Sequence, residues 1–292
     1  MSLLHLLLLL ATVSVWGFNF VAIKMALYTF PPIFLCFLRF LLSALPLIFF
    51  IPKPTIPLRK IALYSSVTFV LQFSILFIAM KSGVTPGVAS ILLQLQSFFA
   101  VLFAIFVMKE PYRLKQAVGF GVALLGIVLI VFNLGGETTL LGLSLVLSAA
   151  ALWASGSILA KQFGVGGVPL VVWSSLIACP PLLLLSFLFE GPELIGDSLR
   201  NFNWTSVAAV SYVAYGSTLF GFGTWNWLLQ KHPVSKLSPF TLLAPVVAMI
   251  SSSLLLGETI HWWKIAAAAF ILTGLALHLL PAKRAEVESS QS

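Results

Sequence analysis

Polar side chains are scarce in this sequence, and helical spacing gathers most of them into stripes. Ser90, Gln94 and Ser97 recur at i, i+4 and i+7, one face of a helix. Trp16 and Asn19 share a face by the same rule, as do Trp153 and Ser157. Tyr212, Tyr215, Phe222 and Asn226 follow the period closely enough to line one side of another helix, and Gln72 stands in the middle of a further apolar run. Amides, hydroxyls and aromatic faces are binding groups: they can hold an ammonium, a carboxylate or a ring without placing a full charge in an apolar medium, and a desolvated cation over an aromatic face gains about 2 kcal/mol. The groups that make and break bonds are not arranged here. No paired carboxylates, His pair or Cys–His arrangement stands out, so no enzyme is expected, and no metal or cofactor is called for. Cys36 and Cys179 lie inside apolar runs, where a thiol packs as a small side chain. Gly119-Phe-Gly121 with Gly126 has a superficial likeness to a dinucleotide fingerprint, yet it sits in an apolar run, where close helix packing is the expected use of glycine. There is no GxxxxGK[ST] loop to hold a nucleotide triphosphate.

The elements that must carry these stripes are apolar throughout. Of 292 residues, 60% are hydrophobic and 8% charged, with a mean hydropathy of +1.08, far from the roughly one-quarter charged residues of a soluble domain. A membrane span needs about 20 apolar residues. The runs Met1–Ile23, Ile61–Met80, Ser82–Met108, Gln116–Gly136, Thr138–Ala160, Gln162–Phe189, Asn201–Gln230, Leu237–Gly257 and Ile265–Ala282 contain no Asp, Glu, Lys or Arg, and Pro32–Ile51 is broken by Arg39 alone. That pattern predicts ten transmembrane helices. Lipid supplies no hydrogen bonds, so the polar stripes should face one another around a central, aromatic-walled cavity. Gln72 and Gln94 fit equally a purely structural bond between helices. Tyr212 and Tyr215 fit either the cavity or an interfacial belt, and Trp204, Trp262 and Trp263, beside loops, are expected in such a belt.

The net charge of +8 does not indicate nucleic acid, because the basic residues stand singly or in threes at helix ends. With the N-terminus inside, Lys53, Arg59, Lys60, Lys109, Arg113, Lys115, Lys161, Lys231, Lys236, Lys283 and Arg284 face the cytoplasm, against Lys24, Lys81, Arg200 and Lys264 outside. This bias predicts an inner-membrane protein with both termini cytoplasmic. The N-terminal run lacks a basic leader and does not read as a cleaved signal. No feature demands a second subunit, so the expected partners are lipid and small molecules, with a monomer expected. The tail, residues 282–292, is polar and charged and is expected to be disordered.

The chain also repeats itself. Trp16, Lys24 and Pro32 recur as Trp153, Lys161 and Pro169 at an offset of 137, and Glu110 and Gly126 recur as Glu258 and Gly274 at an offset of 148. Two ordered sets of matches predict a duplication, residues 1–136 and 137–281. Five spans per half make the second copy enter the membrane upside down, the arrangement of secondary transporters. Pro86, Gly87, Gly216, Gly221, Gly223, Pro239 and Pro245 are the expected soft points at which such helices bend between states. Glu110 and Glu258, at span ends, read either as helix-end contacts or as proton carriers, which leaves antiport and facilitated diffusion both open.

Trp16 with Lys24, the Pro32…Arg39-Phe40 stretch, Lys109-Glu110-Pro111 and Leu256-Gly257-Glu258-Thr259 together resemble the drug/metabolite transporter superfamily, in its ten-helix EamA-type branch. The resemblance covers essentially the whole chain. It implies an exporter of amino acids, other metabolites or lipophilic cations, and the aromatic-rich character is similar to the YddG-type exporters of aromatic amino acids and methyl viologen. Leu176 stands where the second half would repeat Arg39, so no role passes to Arg39 by symmetry. The reading is thus an all-α membrane protein exporting amino acids by alternating access. The alternatives are a viologen-type cation exporter and, from another class, a passive channel or a non-transport membrane protein.

Overall fold

The computed structural model describes residues 2–108, 114–133, 138–164, 166–232, 237, 240–241 and 243–279. No strand occurs among the described residues. That is the economy an apolar solvent enforces, since a helix satisfies its backbone within one segment. Helices α1 (Leu3–Ala26), α3 (Leu58–Lys81), α7 (Leu140–Phe163) and α8 (Gly167–Phe189) are 23 or 24 residues long. At 1.5 Å per residue each covers about 35 Å, enough for a hydrocarbon core of about 30 Å. Between and after them run α2 (Pro32–Ile48), α4 (Pro86–Leu93), α5 (Gln96–Met108), α6 (Leu114–Phe132), α9 (Gly191–Arg200), α10 (Trp204–Ser211), α11 (Phe222–Lys231), α12 (Ala244–Leu256) and α13 (Trp262–Leu279). The chain is a helical, multi-span membrane protein. Lys109, Glu110, Pro111, Pro239 and the tail 282–292 lie outside the described residues.

Local sequence starts these helices. Ser2 accepts from the His5 N–H at 3.3 Å, Thr139 from the Gly142 N–H at 3.0 Å, and Asn203 with Ser206 forms a reciprocal capping box. Pro32 and Pro86 occupy first-turn positions, where the missing N–H is no loss. The stretch between the apolar runs that end at Phe189 and begin at Asn201 carries charge and turn residues and would suit a loop. It folds instead into α9, because Gly191 (φ +83°) turns the chain, Pro192 begins a new helix, and Ile195 and Ser198 give it a buried face.

Helix association in lipid relies on close packing, because hydrocarbon offers no hydrophobic drive between helices. α6 lies along α13, α2 along α8, α1 along α12, and α7 along both α3 and α5. At the α6–α13 seam a Cβ on Gly126 would meet the Ala267 carbonyl at 2.8 Å, and one on Gly274 would meet the Gly119 carbonyl and the Ala123 backbone. Gly121, the middle residue of the glycine motif, has nothing within 4 Å of an added Cβ. The spacing drew attention to three glycines of α6; Gly119 and Gly126 meet the partner helix.

Among the described residues, four stretches within the spans depart from regular α-helix. The backbone widens into π-helix at Ser66–Leu71 within α3, and at Tyr212–Gly221 between α10 and α11. It tightens between α4 and α5, where the N–H groups of Gln94 and Leu95 bond three residues back, and again before α12, where the Leu243 N–H bonds Phe240. These positions differ from those of the prolines among the expected soft points. Pro86 and Pro245 lie in the first turns of α4 and α12, so they start helices rather than kink them. The interruption of the fourth span falls eight residues after Pro86.

Replacing Gly274 with Leu should force α6 and α13 apart at a cost of about 1–3 kcal/mol. A lower midpoint of thermal unfolding in detergent is expected for Gly274→Leu and an unchanged one for Gly121→Ala.

Candidate functional site

A cavity of about 420 Å³ lies among α1, α3, α4, α7 and α8, with contributions from α2, α5, α11 and both sides of the break before α12. Of the predicted residues, Trp16, Asn19, Ser90, Gln94, Ser97, Trp153 and Ser157 line it together. The helical stripes on α1, α4–α5 and α7 therefore converge. Gln94 donates from Nε2 to the Thr241 carbonyl at 3.0 Å, so the tightened turns of the two broken spans are tied to each other across the cavity wall. The lining and the structural bond, both open for Gln94 from sequence, coexist in one side chain.

The other predicted residues sit elsewhere. Tyr212 donates its hydroxyl to the Val15 carbonyl at 3.0 Å and packs edge-on against Phe18, a helix-to-helix contact. Tyr215 turns outward and is 42% exposed. Both follow from the π-helical stretch, which changes the angle per residue and rotates the tyrosines off the face that 3.6-residue spacing assigned to them. Gln72 is fully buried beside the cavity but not in its wall, and neither of its amide atoms has a hydrogen-bond partner. The side chain of Asn226 lies outside the described residues. Gly221 has a steric reason: a Cβ there would collide with the Trp16 indole.

Sequence reasoning passed over several residues that make up the wall. Among these, Phe73 and Trp225 join the expected Trp153, Phe222 and Trp16 in a continuous chain of ring contacts, with neighbouring centroids 5.4 to 6.3 Å apart. Thr68 and Ser217, one from each π-helical stretch, also face the cavity. So does Arg39, whose side chain is 2% exposed. A buried arginine in an apolar run was visible in the sequence; what could not be read was which helix it would face.

One end of the cavity reaches Ala160, Gly166 and Gly167, around the α7–α8 connection. The helix ends on the opposite side are closed by charged side chains. Lys24, in the last turn of α1, donates to the Met80 carbonyl at 2.8 Å, while Lys81, at the end of α3, donates to the Leu27 carbonyl at 2.6 Å. Each lysine thus caps the other helix's C-terminus, where unpaired carbonyls carry negative partial charge. Glu190 does the reverse. Its carboxylate accepts from the Ile33 and Phe34 N–H groups at 2.6 and 2.9 Å, the N-terminus of α2 left open after Pro32. Glu258 accepts from Lys264 Nζ at 3.0 Å, from the Ser252 hydroxyl and from the Gly87 N–H at 3.4 Å, joining α4, α12 and the start of α13. Gly87 is needed there, since a Cβ would come within 2.9 Å of the Glu258 carboxylate. Lys264, expected in an outer loop, is 1% exposed, and Trp263 beside it is buried rather than part of an interfacial belt. Trp204 and Trp262 are the exposed ones.

At the other membrane face, His5 Nδ1 lies 2.7 Å from His232 Nε2, joining the start of α1 to the end of α11. This His pair was not legible from sequence positions 227 residues apart, and it lies outside the cavity lining. No group of three or more His, Cys, Asp or Glu able to hold a metal occurs among the described residues.

The model of the EamA-like transporter family matches the chain twice, over residues 3–132 and 140–280. The chain belongs to the EamA-like transporter family. Among the relatives of this EamA transporter, one from Salmonella typhimurium is 39% identical over 93% of each chain, and one from Escherichia coli K12 is 36% identical over the same shares; both bear the name "Probable amino-acid metabolite efflux pump". An uncharacterized transporter of Bacillus subtilis, YoaV, is 26% identical over 96% of this chain and 98% of its own. A crystal structure at 19% sequence identity superposes with a TM-score of 0.65, covering 95% of the EamA transporter and 96% of its counterpart, so the fold is shared.

The Glu258–Lys264 pair gives a direct test of the closed side. Glu258→Gln or Lys264→Met alone leaves a buried charge without its partner, at a cost of about 3–5 kcal/mol. Thermal unfolding in detergent should show each single variant destabilised and the double variant more stable than either single one.

Proposed function

We propose that this EamA transporter is a secondary exporter of amino acids and related small metabolites, working by alternating access between two inverted five-helix repeats, 1–136 and 137–281. The observation that carries this reading is the cavity: aromatic walls and neutral amide and hydroxyl groups, drawn from elements of both halves, open toward one side and backed by charged caps on the other. Its shape and chemistry suit a small solute with an apolar side chain. The printed names of the Salmonella and E. coli relatives agree with amino-acid metabolites as the cargo.

Several features support the repeat. The family match is double. Helix pairings come in matched sets: α1 against α12 parallels α7 against α4 and α5, while α3 against α7 parallels the second π-helical stretch against α1. Shifted by the 148-residue offset, the π-helical stretch Ser66–Leu71 falls inside Tyr212–Gly221, and the turn at Leu95 falls on Leu243. Ten spans, counting α4–α5 and α10–α11 as one each and α9 as a surface helix, accommodate the described helices. With ten spans and both termini inside, eleven Lys and Arg fall on the inner side against four outside, a bias that supports an inner-membrane orientation with cytoplasmic termini and a cavity open inward. Export then needs the Lys24, Lys81, Glu190 and Glu258 caps to part while the α7–α8 end closes. Paired broken helices in spans four and nine are where such rocking would bend.

No Asp or Glu is among the described residues lining the cavity, which disfavours the cation-exporting alternative. The test is counterflow of labelled phenylalanine, threonine and alanine in proteoliposomes, with and without a pH gradient. Saturable exchange is expected without a gradient, and Trp153→Ala should raise its half-saturating concentration about tenfold. Non-saturating flux would identify a channel, and no flux under either condition would remove the transport reading.

A further inference from the structure

Arg39 is the one fully charged side chain in the described cavity wall, and it has no counter-ion there. Its Nε donates to Thr218 Oγ1 at 3.1 Å; its guanidinium carbon lies 4.2 Å from the Phe73 ring centroid and 5.5 Å from that of Phe40. The Thr218 hydroxyl spends its own proton on the Val213 carbonyl at 3.0 Å, so it is oriented to accept from Arg39. Ser43 further ties the Arg39 backbone to the π-helical stretch, bonding the carbonyls of Arg39 and Ala214 at 2.8 and 3.2 Å. The guanidinium is therefore held rigidly by one hydrogen bond and two ring faces. Nη1 has no hydrogen-bond partner, and no ion pair reaches the residue. A guanidinium carries five N–H donors and stays charged, and burying it without an anion is costly.

Building on the exporter reading, we propose that Arg39 binds the carboxylate of the transported solute, so that the substrate class is carboxylates with an apolar or aromatic side chain, α-amino acids foremost, and not lipophilic cations. The fork of N–H donors matches a carboxylate in shape as well as charge. The same wall offers what the rest of an amino acid needs. Asn19 and Gln96 are lining residues whose amide oxygens, buried in this state, have no donor and can serve an ammonium, and the Trp153–Phe222–Trp16 faces fit the side chain. A free cation such as a viologen would instead meet Arg39 with like charge and no compensating acid. The second half carries Leu176 at the matching position, so the site holds one carboxylate anchor and not a symmetric pair.

The test separates the anchor from the carrier. Binding to the purified protein is followed by quenching of tryptophan fluorescence, which Trp16 and Trp153 in the wall should report, using phenylalanine, 3-phenylpropionate and phenethylamine. The carboxylates should bind, with phenethylamine about a hundredfold weaker. In proteoliposomes, Arg39→Gln should raise the half-saturating phenylalanine concentration about tenfold or more, with Arg39→Lys intermediate. The ligand series on the unaltered protein decides the matter even if an Arg39 variant fails to fold. Phenethylamine binding as well as 3-phenylpropionate would overturn the carboxylate anchor while saturable phenylalanine counterflow left the exporter standing. Carboxylate binding without flux would keep the anchor and remove the exporter. Arg39→Gln with unchanged half-saturation would also overturn the anchor.

Discussion

A backbone N–H or C=O left unpaired in hydrocarbon costs several kcal/mol, and that constraint governs where this protein can be irregular. The described departures from α-helix all occur where another helix or the cavity can take over the lost bond. The Tyr212–Gly221 stretch frees carbonyls that neighbours collect: Trp16 Nε1 bonds Ser217, Ser43 bonds Ala214, and Thr218 bonds Val213 within the stretch. Gln94 does the same for the Thr241 carbonyl at the paired break. Each repair uses a polar side chain that the sequence could hardly spare, which is why the polar stripes and the irregular backbone coincide. A binding cavity results from the same arrangement, because a wall made of loosened helix turns exposes groups that regular helices conceal.

The charged residues obey a related economy. Among those described in the helical body, Lys24, Lys81, Glu190 and Glu258 sit at helix ends and neutralise the partial charges of unpaired backbone groups. They cluster on the side opposite the α7–α8 connection, so a single set of contacts both completes the helices and joins them at that face. Such contacts suit a gate: they are strong when dry and are replaced by water when the helices part, so opening exchanges bonds rather than losing them. At the α7–α8 connection the cavity is lined instead by Gly166 and Gly167.

The fold class was legible because composition and run length leave a membrane chain few options. The cavity was legible where spans stay α-helical, as for Trp16 with Asn19 and Trp153 with Ser157, and Ser90, Gln94 and Ser97 reach it together across the tightened turn between α4 and α5. It failed at Tyr212 and Tyr215, where the π-helical turn changes the period. It fell short differently at Pro245, which starts α12 while the break lies before it, since a proline signals a helix start as readily as a kink. The pairings of Glu190 with α2 and Glu258 with Gly87, separated by more than 150 residues, depend on which helices are neighbours, which local patterns do not encode.

Duplication accounts for what remains, and for where it stops. On the proposed duplication, two copies of one fold would bring Trp16 and Trp153 to one cavity, where Phe222 touches both rings, and the aromatic walls would inherit that symmetry. A solute with one polar head and one apolar side chain has no such symmetry, so a cavity recognising it must break the repeat. Arg39 against Leu176 is where this chain does so most sharply in charge. The costs follow the same division. Aromatic residues can be duplicated freely because each copy packs well without a ligand, whereas a second buried arginine would add like charge at close range with no anion to share. One guanidinium, rigidly held and facing a wall otherwise neutral, gives the asymmetry a small head group requires at the least desolvation cost.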